Sequence, residues 1–90
     1  MNQVNEQLRK SCEDAVAAFA KLNSEKYSDI QSKLEWCIGS YNYDKNPSGL
    51  HEYGVKSLDI LKKVKTKEPR KVNKKVIDGL EKAIFSFSNN

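Results

Sequence analysis

The chain has few of the residues that build catalytic or metal sites. Its 90 residues include one histidine, His51, and two cysteines, Cys12 and Cys37, which stand far apart without CxxC spacing. A zinc site needs about four such ligands, so we expect no metal. The sequence has no phosphate loop or nucleophile elbow, and one histidine assembles no acid–base set. The composition therefore predicts neither an enzyme nor a bound cofactor.

Long hydrophobic runs are also missing. A membrane-spanning helix needs about 18 consecutive apolar residues, and no run in the chain approaches that length. The first residues, Met1 to Glu6, lack the apolar core of a signal peptide. We therefore expect a cytoplasmic protein that does not contact a membrane. In that compartment Cys12 and Cys37 are expected to be reduced thiols that pack as small apolar residues.

The residues that are present favour helices with one buried stripe. Hydrophobic residues make up 38% of the chain and charged residues 31%, and the apolar ones recur every three or four positions. The stripe of a first helix, at about 3–22, consists of Val4, Leu8, Cys12, Ala15, Phe19 and Leu22. The stripe of a second, at about 26–42, consists of Tyr27, Ile30, Leu34, Cys37, Ile38 and Tyr41.

The break between these two helices is predicted at Asn23 and Ser24. Asn23 can adopt the left-handed conformation that ends a helix, and Ser24 can cap the next one. A reversal at this point places Cys12 opposite Cys37 and fills the layers on both sides. The alternative is one helix of about 40 residues, because the apolar spacing continues through Lys26 with a single stutter.

Two further helices follow, at about 48–67 and 73–87. The segment 43–49 holds strong helix breakers, and Asn46 before Pro47 predicts a cap followed by proline at the first helical position. Pro69 ends the third helix. Val72 and Asn73 then predict an apolar staple, packed on Ile77, and the cap of the fourth helix.

These patterns predict an all-α fold in a single domain, 1–90. Two amphipathic hairpins are expected to close as an up-down antiparallel four-helix bundle. The alternative fold has three helices, a long N-terminal one and a C-terminal hairpin. Because so short a chain has little core, a homodimer built from the same hairpins is the main competing assembly.

The clearest charged feature is the segment 62–75, with eight basic residues and one acidic residue. Lys71, Lys74 and Lys75 crowd the start of the fourth helix, where the helix dipole disfavours cations. Lysines beside free backbone N–H groups predict phosphate or nucleic-acid backbone binding without sequence preference. A merely solvated surface is the alternative. The candidate residues are Lys62, Lys63, Lys65, Lys67, Arg70, Lys71, Lys74 and Lys75.

A set of aromatic residues suggests a different function. Trp36 and Tyr43 are seven residues apart and share a face of the second helix, and Tyr41 and Tyr53 are expected near the same end. Tryptophan and tyrosine dominate the energetics of protein interfaces, so this set predicts a partner-binding patch, with core packing as the alternative. No specific activity follows from the sequence. A small helical protein-interaction or regulatory module, with a protein partner or a second copy of itself, is the first expectation, and nucleic-acid binding is the second.

The loop that begins at Asp44 has a composition that two chemistries could explain. Asp44, Asn46, Ser48 and Gly49 match the first positions of a calcium-binding EF-hand loop. The bidentate glutamate that closes such a loop is replaced by Val55. Turn chemistry accounts for the same residues, so the loop predicts a tight connection and no calcium site.

Overall fold

The computed structural model describes residues 3–89, which form four helices. These are α1 (Gln3–Leu22), α2 (Ser28–Asp44), α3 (Ser48–Lys67) and α4 (Lys74–Ser88), with a short 3-10 turn (Glu25–Tyr27) before α2. The prediction of four helices is confirmed. The three-helix alternative is wrong, because the chain reverses after Leu22.

The first reversal uses the two residues that the sequence predicts. Asn23 adopts a left-handed conformation with φ of 47°, and its N–H donates to the carbonyl of Phe19 at 3.2 Å. The hydroxyl of Ser24 accepts from the N–H of Lys26 at 3.3 Å. The residues that follow Ser24 form a 3-10 turn instead of the first turn of α2, so α2 begins at Ser28 and not near 26.

Asparagine side chains also stand at the two later helix starts, but only one of them is the cap. The expected cap at Asn46 is wrong: α3 begins at Ser48, so Pro47 is its N-cap and supplies no side-chain cap bond. Asn46 lies one residue earlier, where its carboxamide oxygen accepts from the N–H of Ser48 at 3.1 Å. The side chain of Asn73 accepts from the N–H of Lys75 at 2.8 Å, which confirms it as the cap of α4. Each of these side chains satisfies a backbone donor that the helix leaves without an internal partner.

The four helices form an antiparallel ring. α1 packs against α2 and α4, α3 packs against the same two helices, and α1 and α3 also touch across the bundle. Phe19 and Tyr27, whose ring centroids are 5.8 Å apart, mark the first hairpin. His51 stacks on Phe87 at 4.8 Å at the far end of the second. The core is filled by one stripe from each helix, and its largest members are Phe19, Leu8, Leu34, Leu50, Leu61 and Leu80.

The two cysteines lie against glycines of α3. The S–H of Cys12 donates to the carbonyl of Leu50 at 3.6 Å. The same sulfur faces Gly54, where an added Cβ would stand 3.5 Å from it. At Gly49 an added Cβ would lie 2.9 Å from the sulfur of Cys37. Burial raises the pKa of the Cys12 thiol to about 12, and the nearby Cys37 adds to the rise. Both thiols are free, buried and packed as apolar groups.

Candidate binding surfaces

The end of the bundle that carries the 23–27 and 68–73 connections, called here the turn end, contains a concave basic surface. A cavity of about 680 Å³ lies between α1, α4 and the chain that leads into α4. Its wall between the charged groups is made of small apolar side chains, including Ala17, Ala18 and Val72. The charged residues that line this basic groove are Asp14, Lys21, Lys65, Arg70, Lys71 and Lys74. Five of the six are cations, so the groove is strongly electropositive.

Lys21 belongs to this groove although it lies outside the segment 62–75. It stands in the last turn of α1, where the negative end of the helix dipole favours a cation. The sequence contained a signal for this residue. In an up-down bundle the first and third connections meet at the same end, so a lysine beside residue 23 must lie near the basic segment.

Three lysines of the predicted set are paired with carboxylates. Lys62 contacts Glu81 of α4 at 2.5 Å, Lys63 contacts Asp59 one turn earlier at 3.1 Å, and Lys71 contacts Glu68 at 3.4 Å. The side chains of all three pairs are at least half exposed. Such pairs contribute little stability, but they reduce the charge that these lysines offer to a ligand.

Lys65 has a structural role within the groove. Its ammonium donates to the carbonyls of Pro69, at 2.7 Å, and Val72, at 2.9 Å. The side chain therefore ties the last turn of α3 to the connection that leads into α4. This lysine helps to fix the shape of the groove, and two of its three N–H donors are already occupied.

The remaining cations have no acidic partner among residues 3–89. Lys21, Arg70 and Lys74 face the basic groove without an ion pair. Lys75 and Lys67 are likewise unpaired but lie outside the groove. The eight predicted residues thus divide into paired, structural and available groups, and Lys21 joins the last of these.

The backbone donors at the start of α4 are mostly occupied. The N–H of Lys75 donates to the side chain of Asn73 at 2.8 Å, and the N–H of Val76 donates to the carbonyl of Asn73 at 3.0 Å. The expectation that free N–H groups assist anion binding is therefore corrected. An anion at this site would be held by side chains.

The predicted aromatic set is divided by the fold. Trp36 is 75% exposed and Tyr43 is 93% exposed, so neither covers a neighbouring helix. The half-buried ring of Tyr53 lies between two lysines, with the ammonium of Lys33 at 5.8 Å and that of Lys56 at 4.9 Å from its centroid. Trp36 and Tyr53 both border the seam between α2 and α3.

Tyr41 is a core residue and leaves the partner-binding set. It is 2% exposed because it stands on the apolar stripe of α2, and its hydroxyl donates to the carboxylate of Glu6 at 2.5 Å. Burial, followed by this hydrogen bond, raises the pKa of Tyr41 to about 12. The bond from Tyr41, with help from Arg9, lowers the pKa of Glu6.

A second cavity, which no pattern in the sequence predicts, lies on the α2/α3 side of the turn end. It measures about 440 Å³ and is called here the apolar groove. Its floor is formed by Tyr27, Ile60 and Val64. The charged residues at its rim are Lys26, Lys63, Lys67 and Glu68. The site depends on the 3-10 turn, which places Tyr27 against the end of α3, and no local pattern predicts that turn.

The loop between α2 and α3 uses its polar side chains for turns. Asp44 accepts from the N–H of Asn46 at 2.9 Å, as Asn46 does from Ser48. Successive bonds of this kind hold a tight connection. Within the part of the chain that the structure describes, no group of three or more His, Cys, Asp or Glu residues could hold a metal ion.

Comparisons with protein-family models, with curated proteins and with solved structures found no match for this chain. Among the described residues, none of the helices has the length and apolar character that crossing a bilayer requires. The candidate surfaces are therefore interpreted from their own geometry and charge.

Proposed function

We propose that the protein is a binding module that holds a phosphate-bearing polyanion, such as a nucleic-acid backbone, in the basic groove. The observation that carries this proposal is the convergence of Lys21, Arg70 and Lys74 on one concave surface, where none of the three forms an ion pair with a residue of 3–89 and Asp14 also lines the wall. Lys21 comes from a different hairpin from the other two, so the cluster is a product of the tertiary fold.

The shape of the groove strengthens the attraction. A concave surface with apolar walls focuses the field of its charges and raises the local concentration of anions. No aromatic ring lines the groove, so there is no platform on which bases would stack. These features favour contacts to phosphates, which carry no sequence information.

The test compares two variants of equal charge. In Lys21→Glu/Arg70→Glu/Lys74→Glu the groove is reversed, whereas in Lys10→Glu/Lys56→Glu/Lys82→Glu three exposed lysines elsewhere are reversed. The affinity of the wild type for DNA or RNA should fall steeply with salt because bound counterions are released. We expect the groove variant to lose at least about tenfold in affinity and to reduce the salt slope by about three.

The control variant should retain most of the wild-type affinity, since none of its three lysines lines the groove. Equal losses in both variants would show that net charge alone governs binding. Absence of binding by the wild type at low salt, measured by fluorescence anisotropy with single- and double-stranded probes, would refute the proposal.

A second candidate, a protein-interaction module, is supported by Trp36 and Tyr43. Large aromatic side chains are costly to leave in water and are enriched at the energetic centres of interfaces. In this case Trp36→Ala should abolish association with the partner and leave polyanion binding unchanged.

Binding rather than catalysis remains part of the proposal. The ring of His51 is engaged in packing on Phe87, and its Nε2 lies 3.3 Å from the hydroxyl of Ser88. A cytoplasmic location is also proposed, and the two free thiols, Cys12 and Cys37, support it.

A further inference from the structure

One side of the bundle carries both a projecting aromatic residue and an apolar recess. The seam between α2 and α3 has a hollow of about 110 Å³ near the start of α3, lined by Trp36, Ser40 and Gly49 among others. The apolar groove lies at the opposite end of the same seam, over Tyr27 and Ile60. Trp36 and the recess are therefore parts of one surface, called here the α2/α3 face.

Contacts along the seam fix this arrangement. Cys37 approaches Gly49 near the start of α3, and the ammonium of Lys33 lies over Tyr53, one turn further along α3. Tyr27 meets Ile60 and neighbouring residues towards the end of α3. The two helices thus run antiparallel side by side, and Trp36 stands between two and three helical turns from the recess.

The charges on the face differ between its two ends. Asp44 lines the hollow beside Trp36. Burial raises the pKa of the adjacent Cys37, and the nearby carboxylate of Glu52 adds to the rise. At the recess, Lys26 and Lys67 stand at the rim beside Lys63 and Glu68, which pair with Asp59 and Lys71. Between the two ends of the face, Lys33 and Lys56 lie over the ring of Tyr53. Asp44, Glu52, Lys26 and Lys67 have no ion-pair partner among residues 3–89.

We propose that the α2/α3 face is the interface of a two-fold symmetric homodimer in which Trp36 of each chain fills the apolar groove of the other. A two-fold axis requires a surface that complements itself. This face meets the requirement. When a second copy packs against it in an antiparallel orientation, the indole and the acidic residues of each chain lie over the recess and the lysines of the other chain. The inference deepens the protein-interaction candidate and is independent of polyanion binding, since the basic groove lies between α1 and α4.

The occupant of the groove follows from the same features. An indole buries a large apolar area and is highly exposed in the single chain. A chain of 90 residues has a small core, so a second copy adds burial that the monomer lacks. The acidic residues beside Trp36 complement the lysines at the rim of the apolar groove. A nucleic-acid backbone would repel no lysine there, but it would not supply an apolar group to fill the floor of the groove.

Trp36 is the only tryptophan in the chain, so its fluorescence reports directly on the interface. Sedimentation should show a monomer–dimer equilibrium, and the emission maximum should move to shorter wavelength as the dimer forms. Trp36→Ala should remain monomeric. Phe85→Ala, which removes another exposed ring, on α4, should dimerise as the wild type does. A wild type that stays monomeric up to millimolar concentration, or dimerises without an emission shift, overturns the proposal.

Charge exchange provides a test that does not depend on removing an aromatic group. Lys26→Glu/Lys67→Glu and Asp44→Lys/Glu52→Lys should each weaken self-association about tenfold or more, because like charges then face each other. An equimolar mixture should restore the dimer, since each chain offers the charge that the other needs. A mixture no more dimeric than its components overturns the proposal.

The two functions can fail separately. The groove variant Lys21→Glu/Arg70→Glu/Lys74→Glu should dimerise like the wild type while it loses polyanion binding. If it loses both, Trp36 and the basic groove are not independent surfaces, and the proposed interface is wrong. Circular dichroism of every variant checks that the helices remain.

Discussion

The two ends of the bundle use their polar side chains in opposite ways. At the end where α1 begins and α4 finishes, called here the terminal end, Glu6 accepts from Tyr41 and from Arg9. At the turn end, Lys21, Arg70 and Lys74 form no ion pair with any residue of 3–89, although Asp14 lines the same groove. Glu6, Arg9 and Tyr41 thus serve the fold at the terminal end, whereas three cations of the groove at the turn end remain available. Cations that folding does not use are the better candidates for binding.

The largest difference in stability is expected between variants of Lys65 and Lys74. Both residues line the basic groove, but only Lys65 makes hydrogen bonds within the fold. Lys65→Met keeps the aliphatic stem but loses two bonds to backbone carbonyls. We expect it to lower the free energy of unfolding by about 1–2 kcal/mol, measured by urea denaturation. Lys74→Met should change stability by less than about 0.5 kcal/mol.

The affinities should follow the opposite order. Lys74→Met removes an available charge and should weaken polyanion binding more than Lys65→Met does. If the two variants show the same loss of stability, the distinction between a structural lysine and an available one is incorrect.

Tyr41→Phe tests the terminal end. The ring stays in the core, and only the hydroxyl that donates to Glu6 is removed. Loss of one such bond should lower Tm by about 4–8 °C in a chain of this size. Tyr43→Phe is the matched control, because that side chain is 93% exposed. A Tyr41→Phe protein with an unchanged Tm would show that the bond adds nothing to stability.

The hydrogen bond between Tyr41 and Glu6 also predicts that the free energy of unfolding falls at both acid and alkaline pH. The pKa of Glu6 is below its ordinary value of 4.5, so its contribution is present above pH 4.5 and is lost as pH falls through the folded value. The pKa of Tyr41 rises from 10.0 to about 12. Its contribution is therefore present below pH 10 and is lost as pH rises towards 12.

Comparison of the wild type with Tyr41→Phe isolates this effect. The difference in unfolding free energy should be constant between about pH 5 and pH 9 and should shrink beyond both limits. A difference that keeps its full size at acid pH would mean that the Glu6 carboxylate is not the acceptor that matters.

The sequence predicts the helices well because each has its own apolar stripe and because polar turn residues mark the connections between them. Asn23, Asn46 and Asn73 mark their turns by local chemistry, and the helix bounds follow within about two residues. Tyr41 fits two predictions, because it belongs both to the apolar stripe of α2 and to the aromatic partner-binding set. In the structure it is buried, so it is a core residue. Trp36 and Tyr43 lie off the stripe and are exposed, so the alternative of core packing is wrong for these two residues.

The surfaces were harder to predict because they combine distant segments. The apolar groove requires Tyr27, from the 3-10 turn, beside Ile60 of α3. Its existence depends on the deviation of that turn from α-helix, which apolar spacing does not encode. The sequence also does not show which lysines form ion pairs, since Lys62 meets Glu81 of α4 only in the folded bundle.

The smallest expected effect is at Lys74, the first residue of α4. A cation there opposes the positive end of the helix dipole, and a carboxylate would complement it. Lys74→Glu should therefore raise the free energy of unfolding by about 0.3–1 kcal/mol at low salt. The stability of Lys74→Gln should lie between those of the wild type and Lys74→Glu.

The same substitution should weaken polyanion binding, so that stability and affinity move in opposite directions. This opposition separates a cation kept for a ligand from one that merely keeps the surface solvated. High salt should reduce the gain in stability, because the charge is exposed and screened. If Lys74→Glu is both more stable and equally able to bind, Lys74 is not part of the binding surface, and the contrast between the two ends rests on Lys21 and Arg70 alone.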